Sequence, residues 1–233
     1  MLFILILISL AVNSSPCIET AHGTHWMAFT DIIIRRSSIS EVPNIGNKYT
    51  CLGLCLQIEA CVSVFYRQQQ QRCQFHDVLF TSPQDGEQEI GTEYYSITTG
   101  GCPLSYVHNR ILNMCYQIHL IRATFHAGEE DCNSRGEHLL VIDNAEKQSH
   151  MVNQINSSSD NMLRKFHIDG ADVETEGHWV FHDGRIMTYF AWGPGYPQNG
   201  TDKNYLVADP QYGFLWSDKE GMEAKHYICE RDL

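Results

Sequence analysis

Nine cysteines in two groups constrain the fold of this 233-residue chain more than any other feature. Four lie within a short window and four are spread over the rest of the chain: Cys51, Cys55, Cys61 and Cys73, then Cys102, Cys115, Cys132 and Cys229. In an extracellular chain, cysteines at this density form disulfide bonds that supplement a small hydrophobic core. The ninth, Cys17, stands apart near the N-terminus.

The N-terminal segment predicts export from the cell. Residues 2–8 are apolar and are followed by small residues near Ser14, so we expect residues 1–15 to be a cleaved signal peptide. The run is shorter than the roughly 20 residues of a membrane span, and no second apolar stretch is long enough. We therefore expect a secreted, extracellular protein without a membrane span, glycosylated at the surface sequons Asn156 and Asn199.

The charge balance disfavours one class of partner. The chain has 16 lysines and arginines against 28 aspartates and glutamates, a formal net charge of −12. No basic stripe is present that could follow a phosphate backbone. Nucleic acid is not an expected partner.

A glycine-rich break at residues 98–101 divides the chain into a domain of residues 16–100 and one of residues 101–233. In the first, a helix over residues 49–59 places Cys51 and Cys55 on one face. Strand-like segments follow at residues 61–66 and from Cys73 onward. The pattern Cys-x3-Cys-x5-Cys-Val-Ser-Val-Phe resembles the PAN/apple module, which implies the pairs Cys51–Cys73 and Cys55–Cys61 and a binding role for a small α+β domain.

The second domain begins with helices. Thr124 is a candidate N-cap for a first helix that Gly136 would end. Residues 139–142 are apolar and predict a buried strand, and Asp143 or Asn144 would cap a second helix that ends near Asn156.

Several short motifs follow in a fixed order between Cys132 and Cys229. They are Glu176-Gly177-His178-Trp179, Asp183-Gly184, Trp192-Gly193-Pro194, Trp216-Ser217-Asp218 and Ile228-Cys229-Glu230. This arrangement resembles the long form of the C-type lectin-like domain. The resemblance implies an α+β fold with two helices, small antiparallel sheets and a long irregular loop, together with disulfides Cys102–Cys115 and Cys132–Cys229.

Two departures from this family concern the loop. Tyr205 and Gly221 stand where most such domains carry the cysteines of an inner disulfide. The positions that bind calcium in this family correspond here to Tyr196-Pro197-Gln198, Lys203 and Ser217-Asp218. Of the three carboxylates that the family places there, only that of Asp218 remains. Lys203 would repel a cation and could neutralise Asp218, so we expect neither calcium nor another cofactor unless a shifted alignment brings Asp202 to the ligand position.

Binding is expected to use the loop without a metal. The ligand-binding candidates are Tyr196, Gln198, Lys203, Asn204, Tyr212 and Asp218, since aromatic faces and polar groups can hold sugars or peptides. Trp179, Trp192 and Trp216 are expected in the core instead. A glycan at Asn199 would crowd this surface and favours a protein partner.

The chain carries no catalytic motif that we recognise, and we expect no enzyme activity. His178 and His182 are four residues apart in a predicted strand and turn, where this spacing does not make a zinc site. Cys17 is left over from the implied pairs. It could take Cys102 from Cys115, which local spacing disfavours, or bridge two chains into a disulfide-linked homodimer.

The sequence thus predicts a secreted, non-enzymatic recognition protein that binds carbohydrate independently of calcium. The alternative is an extracellular matrix or adhesion component that binds proteins, or mineral through its acidic surface. Glycans or extracellular proteins are the expected partners in either case.

Overall fold

The computed structural model describes residues 5–8, 21–198, 200 and 202–233, with the backbone alone for residues 5–8. Over these residues the strands are β1 Leu5–Ile8, β2 Ala21–His25, β3 Ile32–Ile33, β4 Ser38–Val42, β5 Ser63–Arg67, β6 Arg72–His76, β7 Glu87–Gln88, β8 Thr92–Thr98, β9 Val107–Asn109, β10 Met114–Ala123, β11 His138–Leu139, β12 Phe166–Ala171, β13 Tyr205–Asp209, β14 Leu215–Lys219 and β15 Lys225–Glu230. The α-helices are α1 Lys48–Gln57, α2 Phe125–Asn133 and α3 Ala145–Asn156, and Met27–Phe29 and Pro210–Tyr212 form 3₁₀ turns.

The contacts divide the chain into two compact units, one ending at Cys115 and one of Tyr116–Asp232. The predicted boundary near residue 100 lies within the first unit and stays a prediction. Among the described helices, none has the length and apolar character needed to cross a bilayer.

The first unit is a helix held on an antiparallel sheet of strand order β1-β2-β8-β5-β6-β4. Asn47 begins α1 by accepting a hydrogen bond from the Thr50 N–H at 3.0 Å. Cys51 and Cys55 lie on its buried face and form disulfides with Cys73 and Cys61. These are the pairs that the PAN resemblance implies.

Arg110 closes the C-terminal end of α1. Its guanidinium donates to the carbonyl oxygens of Leu56, Cys55, Ile58 and Cys61 at distances of 2.8, 2.9, 2.6 and 3.0 Å. A cation is favoured there because the last carbonyls of a helix carry partial negative charge and have no partner within the helix. The hairpin that carries Arg110 is closed by the Cys102–Cys115 disulfide.

In the second unit, α2 and α3 accompany a sheet of strand order β14-β13-β12-β15-β10, in which β11 also pairs with β15. Thr124 and Asn144 are the N-caps, as the sequence predicts. The Cys132–Cys229 disulfide joins α2 to β15 and closes a stretch of 97 residues. The core is apolar and includes Phe166, Ile168 and Trp216.

Candidate functional site

Pairing of β13 with β14 positions the candidate site. In this antiparallel pair Leu206 faces Asp218 and Tyr205 faces Lys219, so the end of β14 lies beside the chain that enters β13. That chain is the long loop of residues 172–204 between β12 and β13. The predicted ligand-binding residues lie in this loop, on β14, and in the 3₁₀ turn between β13 and β14.

Gln198 links Lys203 to Asp218. The Gln198 backbone N–H donates to Oδ2 of Asp218 at 2.8 Å, and Nζ of Lys203 donates to Oε1 of Gln198 at 2.5 Å. The sequence suggested that Lys203 could neutralise Asp218 directly. Among the described residues no ion pair joins them, because the amide of Gln198 takes the ammonium group.

Asp218 is a buried carboxylate with one free oxygen. Desolvation raises its pKa, while the Gln198 N–H and the charges of Lys219 and Lys203 act in the opposite direction. Oδ1 of Asp218 makes no hydrogen bond to any described residue. Because Asp218 is fully buried, this oxygen is closed to a ligand in the present arrangement of the loop.

Asp172 is a second carboxylate that the sequence reasoning missed. It follows β12 directly, its N–H donates to the Asn204 carbonyl oxygen at 3.2 Å, and its Oδ2 accepts from the Gly177 N–H at 2.8 Å. Burial raises its pKa, and the nearby charges of Glu176 and Asp218 raise it further. An acidic residue at the exact end of a buried strand was the signal that could have identified it.

These oxygens do not fit a calcium ion. Ca²⁺ requires six to eight oxygen ligands. In the part of the chain that the structure describes, no group of three or more histidine, cysteine, aspartate or glutamate side chains could hold a metal. The amide oxygen of Gln198 is already bound to the ammonium of Lys203, which would also repel a cation.

Tyr196 and Tyr212 form the aromatic part of the site together with Lys219. The two rings lie 5.5 Å apart between centroids. Nζ of Lys219 lies 4.6 Å from the centroid of the Tyr196 ring and donates to the Tyr196 hydroxyl at 2.9 Å, which lowers the pKa of that hydroxyl. Both rings are half-buried, so their remaining surface is accessible. Lys219 was not among the predicted residues.

Gly193 lets the Tyr212 ring approach the loop. A Cβ at this position would stand 3.0 Å from two atoms of that ring. The neighbouring tryptophans are mostly structural: Trp179 and Trp216 are buried as predicted, whereas Trp192 is half-buried and stacks on Phe190 at 5.7 Å.

Other predicted residues lie away from this site or outside the description. Asn156 is the last residue of α3 and is exposed, so its sequon lies at a helix end and not in a loop. Asn199 and Cys17 lie outside the described residues, and their glycosylation and dimerisation stay predictions. His182 pairs with Asp169 at 2.7 Å, which raises the pKa of the imidazole.

Comparison with known proteins gives the family. A family model described as the Lectin C-type domain matches residues 121–231, and one described as the PAN domain matches residues 18–99. The tetranectin-like protein of Carcharhinus perezii is 32% identical over 124 residues, which are 52% of this chain and 72% of that relative. The chain belongs to the C-type lectin family.

Other members of the C-type lectin family are similar over the same region. Perlucin of Haliotis laevigata is 28% identical over 134 residues, which are 57% of this chain and 84% of perlucin. The galactose-specific lectin nattectin of Thalassophryne nattereri is 24% identical over 144 residues, which are 62% of this chain and 89% of nattectin. These relatives and the PAN match confirm the predicted families.

The fold itself matches a solved C-type lectin-like structure. Human lithostathine superposes with a TM-score of 0.52 at 19% identity, covering 57% of this chain and 100% of that chain. At this identity the match shows the shared fold alone. It confirms the α+β fold class predicted for the second half of the sequence.

Proposed function

We propose that this protein is a secreted, non-enzymatic lectin that binds carbohydrate at the Tyr196–Tyr212 loop without calcium. The observation that carries the proposal is the bond from the Lys203 ammonium to the Gln198 amide beside Asp218. A positive side chain occupies the polar centre of the loop, where the ligands of a cation would have to converge. Relatives named as lectins support carbohydrate as the ligand class.

The loop offers the groups that a sugar needs. The half-buried rings of Tyr196 and Tyr212 can pack against the apolar C–H face of a pyranose. The Lys203 ammonium and the Asn204 side chain, both half-buried, can hydrogen-bond its hydroxyl groups. Neither a nucleophile nor a proton transfer is required for this role.

A glycan array with and without chelator tests the proposal. We expect the secreted protein to bind a defined subset of glycans equally in both conditions, and Tyr196→Ala and Tyr212→Ala to weaken binding about tenfold or more. Tyr49→Ala is the matched control, since Tyr49 is exposed and belongs to the first unit. The proposal would be contradicted if no glycan bound in either condition, or if glycan binding were unchanged in both Tyr196→Ala and Tyr212→Ala.

Titration calorimetry with calcium chloride tests the metal-free part separately. We expect no calcium uptake in the micromolar range by the unsubstituted protein. Lys203→Gln removes the repelling charge without adding a carboxylate, and it is expected to leave that result unchanged because too few oxygen ligands remain. Micromolar uptake that is lost in Asp218→Asn would overturn calcium independence.

A further inference from the structure

The second unit contains a basic pocket that is separate from the carbohydrate loop. Its volume is about 720 Å³, and it is lined by Arg122, Leu163, Arg164, Lys165, Glu223, Ala224, Lys225 and His226. These residues come from the end of β10, the segment before β12, the turn that leads into β15, and the start of β15. None of them belongs to the Tyr196–Tyr212 loop site.

The pocket concentrates positive charge in an acidic protein. Four of its eight lining residues are lysine or arginine, whereas the whole chain carries a formal charge of −12. The only acid of the lining, Glu223, is paired with Lys225 at 2.5 Å, and Lys165 is paired with Asp209 at 2.7 Å.

Arg122 and Arg164 remain without a carboxylate partner among the described residues. The guanidinium of Arg122 donates to the Ala224 carbonyl oxygen at 3.0 and 2.6 Å. Arg164 donates to the Asp160 carbonyl oxygen at 2.5 Å and to Nε2 of His226 at 3.1 Å. These bonds fix the two guanidinium groups but do not neutralise them. Burial lowers the pKa of His226, and the charges of Arg164 and Arg122 lower it further.

The most exposed apolar side chains belong to the pocket lining or are next to it in sequence. Among the described residues, the three large apolar side chains with the greatest exposure are Leu163 at 89%, Met222 at 78% and Ile121 at 73%. Leu163 lines the pocket, and Met222 and Ile121 directly precede the lining residues Glu223 and Arg122. An exposed leucine in the same pocket as two arginines without carboxylate partners indicates an interaction surface.

We propose that this basic pocket and its apolar rim dock on an anionic phospholipid surface. Arg122 and Arg164 would bind the headgroup phosphate, because guanidinium groups match phosphate geometry and attract it through charge. Leu163, Met222 and Ile121 would enter the boundary between headgroups and acyl chains, as apolar side chains of peripheral proteins do. A soluble polyanion would bind the two arginines but would make no favourable contact with the apolar side chains of Leu163, Met222 and Ile121.

Cosedimentation of the full-length secreted protein with lipid vesicles tests this proposal. The vesicles are pure phosphatidylcholine, or about three parts phosphatidylcholine to one part phosphatidylserine, at about 0.15 M salt. We expect binding to the anionic vesicles alone. Arg122→Gln and Arg164→Gln should each weaken it about fivefold, since each basic residue near the surface contributes about that factor. Leu163→Ser should weaken it about tenfold through lost apolar burial.

Matched controls separate this surface from general charge and hydrophobicity. Arg72→Gln and Ile90→Ser remove an exposed arginine and an exposed isoleucine from the first unit and should leave vesicle binding unchanged. Tyr196→Ala should also leave it unchanged, which distinguishes this surface from the carbohydrate loop. Unaltered melting temperatures of all variants establish that they fold.

Three results would overturn the proposal. The first is equal binding to neutral and anionic vesicles, and the second is no binding to either. The third is a loss of vesicle binding in the arginine variants that does not occur in Leu163→Ser and Ile121→Ser, together with complete inhibition of vesicle binding by a soluble sulfated polysaccharide. That last result would assign the pocket to a soluble anion instead of a membrane.

Discussion

The ring of Tyr205 lies directly against the backbone of Gly221: a Cβ added to Gly221 would stand 2.6 Å from Cε2 of that ring. The same ring packs on Phe125 with centroids 4.3 Å apart, and its hydroxyl lies 2.9 Å from Nε2 of His126. These are the two positions at which the C-type lectin-like pattern carries an inner disulfide. Here an aromatic ring packed on a glycine brings the same two positions together.

Gly221→Ala is expected to destabilise the second unit by about 1–3 kcal/mol, because the new methyl group would displace the Tyr205 ring from a packed site. Urea unfolding followed by tryptophan fluorescence measures the change. Gly53→Ala is the control, since Gly53 lies within α1 and an added Cβ meets nothing within 4 Å. Equal stability of G221A and the unsubstituted protein would show that the contact is not tight.

Gln148 joins α3 to the strand that carries Asp218. Its Oε1 accepts from Nε1 of Trp216 at 2.8 Å, and its Nε2 donates to the Phe214 carbonyl oxygen at 2.9 Å. Gln148→Met should cost about 2–4 kcal/mol, because two buried polar groups lose their partners while the volume is kept. Thermal unfolding tests this expectation against Gln211→Met at an exposed position. A loss below about 0.5 kcal/mol would mean that water replaces the amide.

The second unit should lose stability in mild acid through His150. Burial lowers the pKa of this imidazole to about 4, and its Nε2 lies 2.9 Å from the Tyr116 hydroxyl. Between about pH 6.5 and pH 4 the unfolded chain binds a proton there that the folded chain does not. Protonation of this group in the unfolded chain therefore does not reduce the free energy of unfolding above about pH 6.5, and it reduces that free energy progressively as the pH falls toward 4.

His150→Gln should flatten the pH dependence of the free energy of unfolding. The expected reduction in slope is about 1.4 kcal/mol per pH unit within that window. Denaturant unfolding at several pH values measures it, and His126→Gln at an exposed ring is the matched substitution. If the free energy of unfolding depended on pH with the same slope in H150Q and in the unsubstituted protein, His150 would not be the group responsible.

The two disulfides of different span should differ in their effect on stability. Cys132 and Cys229 are 97 residues apart, whereas Cys55 and Cys61 are 6 apart. In the chain-entropy description, replacing the long-range pair by alanines costs about 5 kcal/mol and replacing the short-range pair about 2 kcal/mol. Urea unfolding of the two double variants compares them, and equal losses would show that local packing outweighs loop closure.

Local signals in the sequence predicted the helices well. Thr124 and Asn144 are N-caps because their side-chain oxygens accept from a backbone N–H three residues on, which needs no tertiary information. The apolar run of residues 139–142 is buried as predicted, but β11 covers only His138–Leu139. The N–H of Val141 donates to the Glu230 carboxylate at 2.9 Å instead of a strand partner.

The site was harder to predict because its contacts depend on loop geometry. The prediction that Lys203 neutralises Asp218 rested on their opposite charges alone. The spacing of these residues in the sequence does not indicate that the amide of Gln198 lies between them. Lys219 and Asp172 enter the site through the pairing of β13 with β14 and the end of β12. Residues that meet only after the sheet forms leave no periodic signal in the sequence.

The hydrogen bonds of Arg110 bear on how the two halves can be studied apart. A fragment that ended at residue 100 would lose this guanidinium. The Cys55 and Ile58 carbonyl oxygens would keep a backbone N–H donor, whereas those of Leu56 and Cys61 would lose their Arg110 donor to solvent. The hairpin closed by Cys102 and Cys115 should accordingly be kept with the N-terminal half. Dissection after residue 115 keeps Arg110 and this hairpin disulfide with α1, which a cut at the glycine-rich break does not, although it divides β10 between Cys115 and Tyr116.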